Sequence, residues 1–64
     1  MRLTEFWERM RAQFGAAYAE SLAKDQVLAQ LGGRTVTEAL EAGEPARVVW
    51  WAVCEAFDVP ARSR

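Results

Sequence analysis

The chain has 64 residues, eight basic and nine acidic side chains with a net charge of −1, no histidine and one cysteine. This length is enough for one domain and no more. A single cysteine excludes an intramolecular disulfide, and the absence of histidine leaves no zinc site with the usual ligand spacing. The nearly balanced charge removes the simple electrostatic case for binding nucleic acid or an anionic membrane. Without a staple, a metal or a cofactor, packing of the aromatic side chains is expected to stabilise the fold.

The first segment, MRLTEFWERM, predicts the start of a helix over residues 4–14. Its charges at positions 2, 5, 8 and 9 are not typical of a signal peptide or a transmembrane segment, so we expect a cytoplasmic protein without a membrane partner. Thr4 is the expected N-cap, and Gly15 is expected to end the helix. The apolar stripe recurs at spacings of three and four: Leu3, Phe6, Trp7, Met10 and Phe14.

A second helix is predicted over residues 16–31. Its apolar positions are Tyr18, Leu22, Val27, Leu28 and Leu31. The stripe slips around Asp25 and Gln26, which predicts a bend or a break at that point.

The segment LGGRT, residues 31–35, is interpreted as the joint between two helices. Gly32 or Gly33 can adopt the left-handed conformation that ends a helix, and Thr35 with Glu38 has the T-x-x-E pattern of a capping box. The alternative, a phosphate-binding loop, needs more glycines, a lysine and a preceding strand. Arg34 beside a helix N-terminus leaves an anion site as a second role, although Glu38 competes for the same amides.

The third and fourth helices are predicted over residues 35–42 and 45–57, with Gly43 between them. Pro45 suits a first helical turn, and Val59–Pro60 is expected to stop the last helix. The predicted fold is therefore all-α, a small compact bundle of four short helices. Residues 1–60 form its single domain, and residues 61–64 are expected to be a frayed tail.

The fourth helix carries the candidate binding residues. Its predicted inward stripe is Ala46, Val49, Trp50, Val53 and Phe57, with Cys54 on the flank. Trp50 and Trp51 point about 100° apart, so Trp51 is expected to be partly exposed beside Val48.

Two interpretations of the exposed Trp51 stay open. Either Arg47 or a neighbouring helix covers the Trp51 indole, or Trp51 contacts a protein partner or a second copy of the chain. The candidate partner-binding residues are Trp51, Val48, Arg47 and Arg34.

The sequence lacks the residues that usually support catalysis or the reading of DNA bases. Cys54 has no histidine to activate it, and Thr35, Ser21 and the surface carboxylates do not complete a catalytic site. The third and fourth helices imitate a helix-turn-helix, but base reading needs several polar side chains and the presumed recognition helix offers one arginine, Arg47. We therefore expect a small interaction or accessory protein without catalytic activity or cofactor. The alternative is a nucleic-acid-associated regulator.

Three blocks, MRLTEFWERM, LGGRTVTEAL and VWWAVCEAFDVP, resemble in the same order the small actinobacterial family catalogued as domain of unknown function 3046. The family pattern has Asp-Pro at the start of its last helix and a charged residue after the tryptophan. This chain has Glu44-Pro45-Ala46 and Trp51 at those places. The resemblance implies a cytoplasmic location. It implies no established activity and no catalytic residues. Because members are often encoded near the recombinase A gene, it also implies a link to DNA repair.

Overall fold

The computed structural model describes all 64 residues and contains four α-helices. They are α1 (Leu3–Phe14), α2 (Ala16–Asp25), α3 (Val36–Glu41) and α4 (Ala46–Phe57). Two short strands, β1 (Val27–Leu28) and β2 (Arg34–Thr35), pair antiparallel, and 3₁₀ turns lie at Ala29–Leu31 and Ala61–Ser63. The prediction of a small all-α bundle is confirmed, with the two-residue strands as an addition to it.

Helix α1 begins at Leu3, and its N-cap is Arg2 rather than the predicted Thr4. Phe6 and Met10 are fully buried, and Trp7 and Phe14 are half-buried, so the predicted apolar stripe packs into the core except at Leu3, which is 52% exposed. Gly15 ends the helix as predicted. Its φ of 88° is a conformation that favours glycine, and its N–H donates to the Arg11 carbonyl.

The predicted second helix is wrong beyond Asp25, where α2 ends and the backbone becomes extended at Gln26. At about 100° per residue, an uninterrupted helix would point Leu31 about 180° away from Leu22. Leu22, Leu28 and Leu31 are instead all buried, because the extended strand and the 3₁₀ turn redirect the chain into the core.

The joint before α3 contains two left-handed glycines where the sequence predicted one. Gly32 has a φ of 70° and Gly33 a φ of 80°, and the Gly33 N–H donates to the Leu28 carbonyl over 3.0 Å. The capping box is confirmed: the Thr35 hydroxyl accepts from the Glu38 N–H, and the Glu38 carboxylate accepts from the Thr35 N–H. The LGGRT segment therefore stops one element and starts the next.

Helix α4 supplies the largest share of the core. Pro45 is its N-cap rather than part of its first turn, and Asp58 ends it with a left-handed φ of 55° just before Val59–Pro60. The predicted inward stripe is buried at its centre and half-buried at its two ends, Ala46 and Phe57. The buried residues of α4 are Val49, Trp50, Ala52, Val53 and Cys54.

Residues 58–60 lead from α4 into a 3₁₀ turn, Ala61–Ser63, after which Arg64 contacts the end of that helix. The sequence predicted a frayed tail at this position, whereas Arg64 makes side-chain hydrogen bonds to α4 and to the segment after it. No helix of the chain combines the length and the apolar character needed to cross a bilayer.

Candidate interaction surface on helix α4

The outer face of α4, defined by Arg47, Val48, Trp51 and Glu55, is exposed along its length. Trp51 is 56% exposed and Val48 39% exposed, whereas the adjacent Trp50 is only 4% exposed. The difference follows from helix geometry, since neighbouring residues point about 100° apart and the opposite side of α4 faces the core. The predicted partial exposure of Trp51 is confirmed.

Trp51 lies at the middle of this outer face. Arg47 precedes it by one helical turn and Glu55 follows it by one turn, positions that are surface neighbours on a helix. Because more than half of the Trp51 side chain is accessible, neither Arg47 nor a neighbouring helix encloses the indole. The face has an apolar centre, with the Arg47 guanidinium at one end and the Glu55 carboxylate, which is paired with Arg64, at the other.

Arg64 fixes one end of the outer face, and no sequence pattern pointed to it. Its guanidinium donates to the Glu55 carboxylate over 2.7 Å, to the Val59 carbonyl over 2.7 Å and to the Cys54 carbonyl over 3.4 Å. Its own carbonyl accepts from the Trp50 indole N–H over 3.2 Å. These contacts give the buried indole its polar partner and hold Glu55 in place.

Arg34, the fourth candidate residue, is engaged at the start of α4. Its Nε donates to the Leu31 carbonyl over 2.9 Å, and its Nη2 pairs with the Glu44 carboxylate over 2.8 Å. A guanidinium already held by a carboxylate has fewer donors left for a bound anion. The structure therefore gives Arg34 a positioning role between the glycine joint and α4.

The candidate nucleophiles Cys54 and Thr35 both have structural roles in the fold. Cys54 is buried, and this burial raises the pKa of its thiol above the ordinary value, although the nearby Arg64 acts in the opposite direction. A thiol in this state is protonated and poorly nucleophilic at neutral pH. The Thr35 hydroxyl is used in the capping box. No group of three or more metal-ligating side chains comes together in the fold.

A concave feature lies away from α4, between α1 and α2, where an open groove of about 280 Å³ is lined by Trp7, Arg11, Ala16, Ala19 and Glu20. Sequence reasoning assigned Trp7 to the core stripe, and the structure leaves it half-buried. The groove is smaller than most small-molecule sites, which measure roughly 300–1,000 Å³ and enclose their ligand. Its rim carries one charge of each sign.

Sequence comparison supplies the family. The family model described as "Protein of unknown function (DUF3046)" matches residues 1–62. The chain belongs to the DUF3046 family. The resemblance carried by the three sequence blocks is thereby confirmed, and the family description assigns no activity.

One curated relative of this DUF3046 chain comes from Mycobacterium tuberculosis and is named "Putative envelope-preserving system protein Rv2742c". The two are 53% identical over 36 residues, a match that covers 56% of this chain and 13% of the relative. The chain thus corresponds to a small part of that protein. No solved structure matches the chain.

Proposed function

We propose that this chain is a non-catalytic interaction module that binds a protein through the outer face of α4. The observation that carries the proposal is the 56% exposure of Trp51, flanked by the partly exposed Val48. Tryptophan is enriched among the residues that dominate binding free energy at protein interfaces. Removing the indole and Val48 from water would contribute roughly 25 cal/mol for each Å² of apolar surface buried.

The absence of catalysis is part of the same proposal. It is supported by the states of the candidate nucleophiles, since Cys54 is buried with a raised pKa and the Thr35 hydroxyl caps α3. The relative's name assigns it to an envelope-preserving system and names no reaction. A cytoplasmic location also belongs to the proposal and rests on the family resemblance.

Site-specific photo-crosslinking in the native cell tests the proposed function. A photoreactive amino acid replaces Val48 on the outer face or, as the matched control, Tyr18, which is 52% exposed on α2. We expect protein adducts from position 48 that are absent from position 18. Adding Trp51→Ala should abolish the adducts while circular dichroism shows an unchanged helical content.

Two results would contradict the proposal. The first is the absence of any protein adduct from position 48 at the native concentration. The second is the same set of adducts from positions 48 and 18, which would indicate chance encounters. Crosslinks from position 48 to DNA would instead favour the nucleic-acid-associated regulator.

A further inference from the structure

We infer that the outer face of α4 binds a second copy of this chain, as an antiparallel α4–α4 pair whose two-fold axis passes beside Trp51. The inference rests on the proposed function, because it names the partner of the same surface. Three observations carry it: the symmetric placement of Arg47 and Glu55 about Trp51, the absence of an intramolecular ion pair at Arg47, and the second carboxylate oxygen of Glu55.

The charges of the outer face are placed symmetrically about Trp51. At about 1.5 Å of rise per residue, Arg47 and Glu55 lie about 6 Å along the helix on either side of the indole. An antiparallel pair centred on Trp51 therefore places Arg47 of one copy at the level of Glu55 of the other, and the reverse contact follows from the two-fold axis. A parallel pair would instead oppose like charges. The surface is thus complementary to itself in one orientation.

Arg47 makes no ion pair in its own chain, a state that it shares with Arg2, Arg11 and Arg62, but of these four arginines only Arg47 lies on α4 beside Trp51. An exposed guanidinium beside an exposed indole is a common composition of protein interfaces, where both residue types are enriched. A carboxylate from another chain would give the Arg47 guanidinium an ion-pair partner.

Glu55 keeps one carboxylate oxygen that can accept a contact from another chain. Its Oε2 pairs with Arg64 over 2.7 Å, which leaves Oε1 as an acceptor. Since Arg64 is itself held by two backbone carbonyls, the Glu55 side chain loses less freedom on binding than an unrestrained glutamate.

Other exposed apolar side chains lack this arrangement. Tyr18 is 52% exposed, but the residues four positions before and after it are Phe14 and Leu22, which carry no charge. Val27 is 61% exposed on a strand of two residues. Only the surface around Trp51 combines an exposed aromatic ring with opposite charges at equal spacing.

The small size of the face predicts a weak dimer. Helix α4 has 12 residues and a length of about 18 Å, so the paired faces bury less than the roughly 1,200–2,000 Å² of stable complexes. We expect a dissociation constant between about 10 μM and about 1 mM, and an equilibrium that depends on the concentration of the chain.

Sedimentation equilibrium of the full chain over this concentration range tests the inference. Arg47→Glu and Glu55→Arg should each weaken the wild-type dimer by about tenfold or more, because each opposes like charges at both symmetric contacts. A 1:1 mixture of the two variants should restore association, since each chain then meets opposite charges at both contacts. Tyr18→Glu, on an equally exposed site away from α4, serves as the control and should leave the equilibrium unchanged.

Recovery in the mixture would establish the antiparallel pairing, because a merely structural effect of either substitution would persist there. A wild-type chain that stays monomeric at about 1 mM would overturn the inference, as would single variants that dimerise like the wild type. Neither result touches the proposed function, which fails only if position 48 yields no specific protein adduct. A photo-adduct with twice the mass of the chain would support both.

Discussion

Trp50 and Trp51 are covalent neighbours in opposite surroundings. The Trp50 ring packs edge-on against Phe6, with ring centroids 6.1 Å apart, and its N–H donates to the Arg64 carbonyl. Trp51 is 56% exposed and has Val48 and Arg47 one turn away. One residue of helix rotation therefore separates a core side chain from a surface side chain.

We predict that Trp50→Ala unfolds most of the population, whereas Trp51→Ala leaves a folded protein. Deleting a large buried aromatic ring costs about 3–5 kcal/mol. That equals the roughly 3–5 kcal/mol that a single core supplies in a chain of fewer than about 70 residues. The exposed Trp51 should contribute about 1 kcal/mol or less. Thermal melts followed by circular dichroism measure both; a larger effect at Trp51 would contradict the assigned core face of α4.

Cys54 makes the stability depend on alkaline pH. Burial raises the pKa of the folded thiol above the value of 9.0 that applies to an unperturbed thiol. As the pH rises past this value, the thiol of the unfolded chain loses its proton at a lower pH than the thiol of the folded chain. Rising pH therefore favours unfolding. The contribution of the protonated thiol is complete below the unfolded pKa and is lost as the pH rises through the folded one.

We therefore predict that the free energy of unfolding falls more steeply above about pH 9 in the wild type than in Cys54→Ala. Urea titrations at a series of pH values measure the difference between the two proteins, and the other titrating groups cancel in that comparison. Parallel curves would show that the thiol ionises equally easily in the folded and unfolded chains.

At the scale of elements, the ends of the helices were most predictable where one residue decides them. Gly15 stops α1 because a positive φ favours glycine, and the Thr35–Glu38 box starts α3 through two local hydrogen bonds. The strands β1 and β2 were not predicted, because two residues are too few to display an alternating pattern. Their pairing depends on Leu28 and Leu31 both reaching the core, which is a tertiary requirement.

The exposed surface of α4 was also predictable only as far as local sequence patterns define it. The phase of α4 placed Trp51 outside the core because the buried stripe has helical spacing. The role of Arg64 was not visible, since its partners Glu55 and Cys54 lie nine and ten residues away in the sequence, beyond a bend at Pro60. Contacts of this kind depend on where the chain returns in space.

We predict that Gly32→Ala and Gly33→Ala each lower the free energy of unfolding by about 1–2 kcal/mol. Both glycines have positive φ values, and an added Cβ would meet no atom within 4 Å, so the cost comes from the backbone alone. Chemical denaturation compares both variants with Ala29→Gly, a control in the adjacent 3₁₀ turn. One silent alanine substitution would mean that the joint needs a single left-handed residue.

At the scale of the molecule, the charge distribution predicts weak DNA binding. The net charge is −1, and three of the arginines, Arg9, Arg34 and Arg64, are paired with carboxylates in the same chain. Five basic side chains remain unpaired, but six unpaired carboxylates accompany them, so little net counterion release from a duplex is expected. We expect no complex with random duplex DNA tighter than about 100 μM at about 0.15 M salt, measured by fluorescence anisotropy of a labelled duplex. Submicromolar binding with a steep salt dependence would support the regulator instead.

The three tryptophans give the protein a built-in set of optical probes, because each ring has a different contact with solvent. Trp50 is buried with a bonded N–H, Trp7 lines an open groove, and Trp51 faces water. An aqueous collisional quencher reaches the excited state of Trp51 most readily and that of Trp50 least. Occupation of the outer face of α4 removes the most accessible emitter from the quencher and shifts the spectrum to shorter wavelength, so an unlabelled sample signals by its own emission when that face is covered.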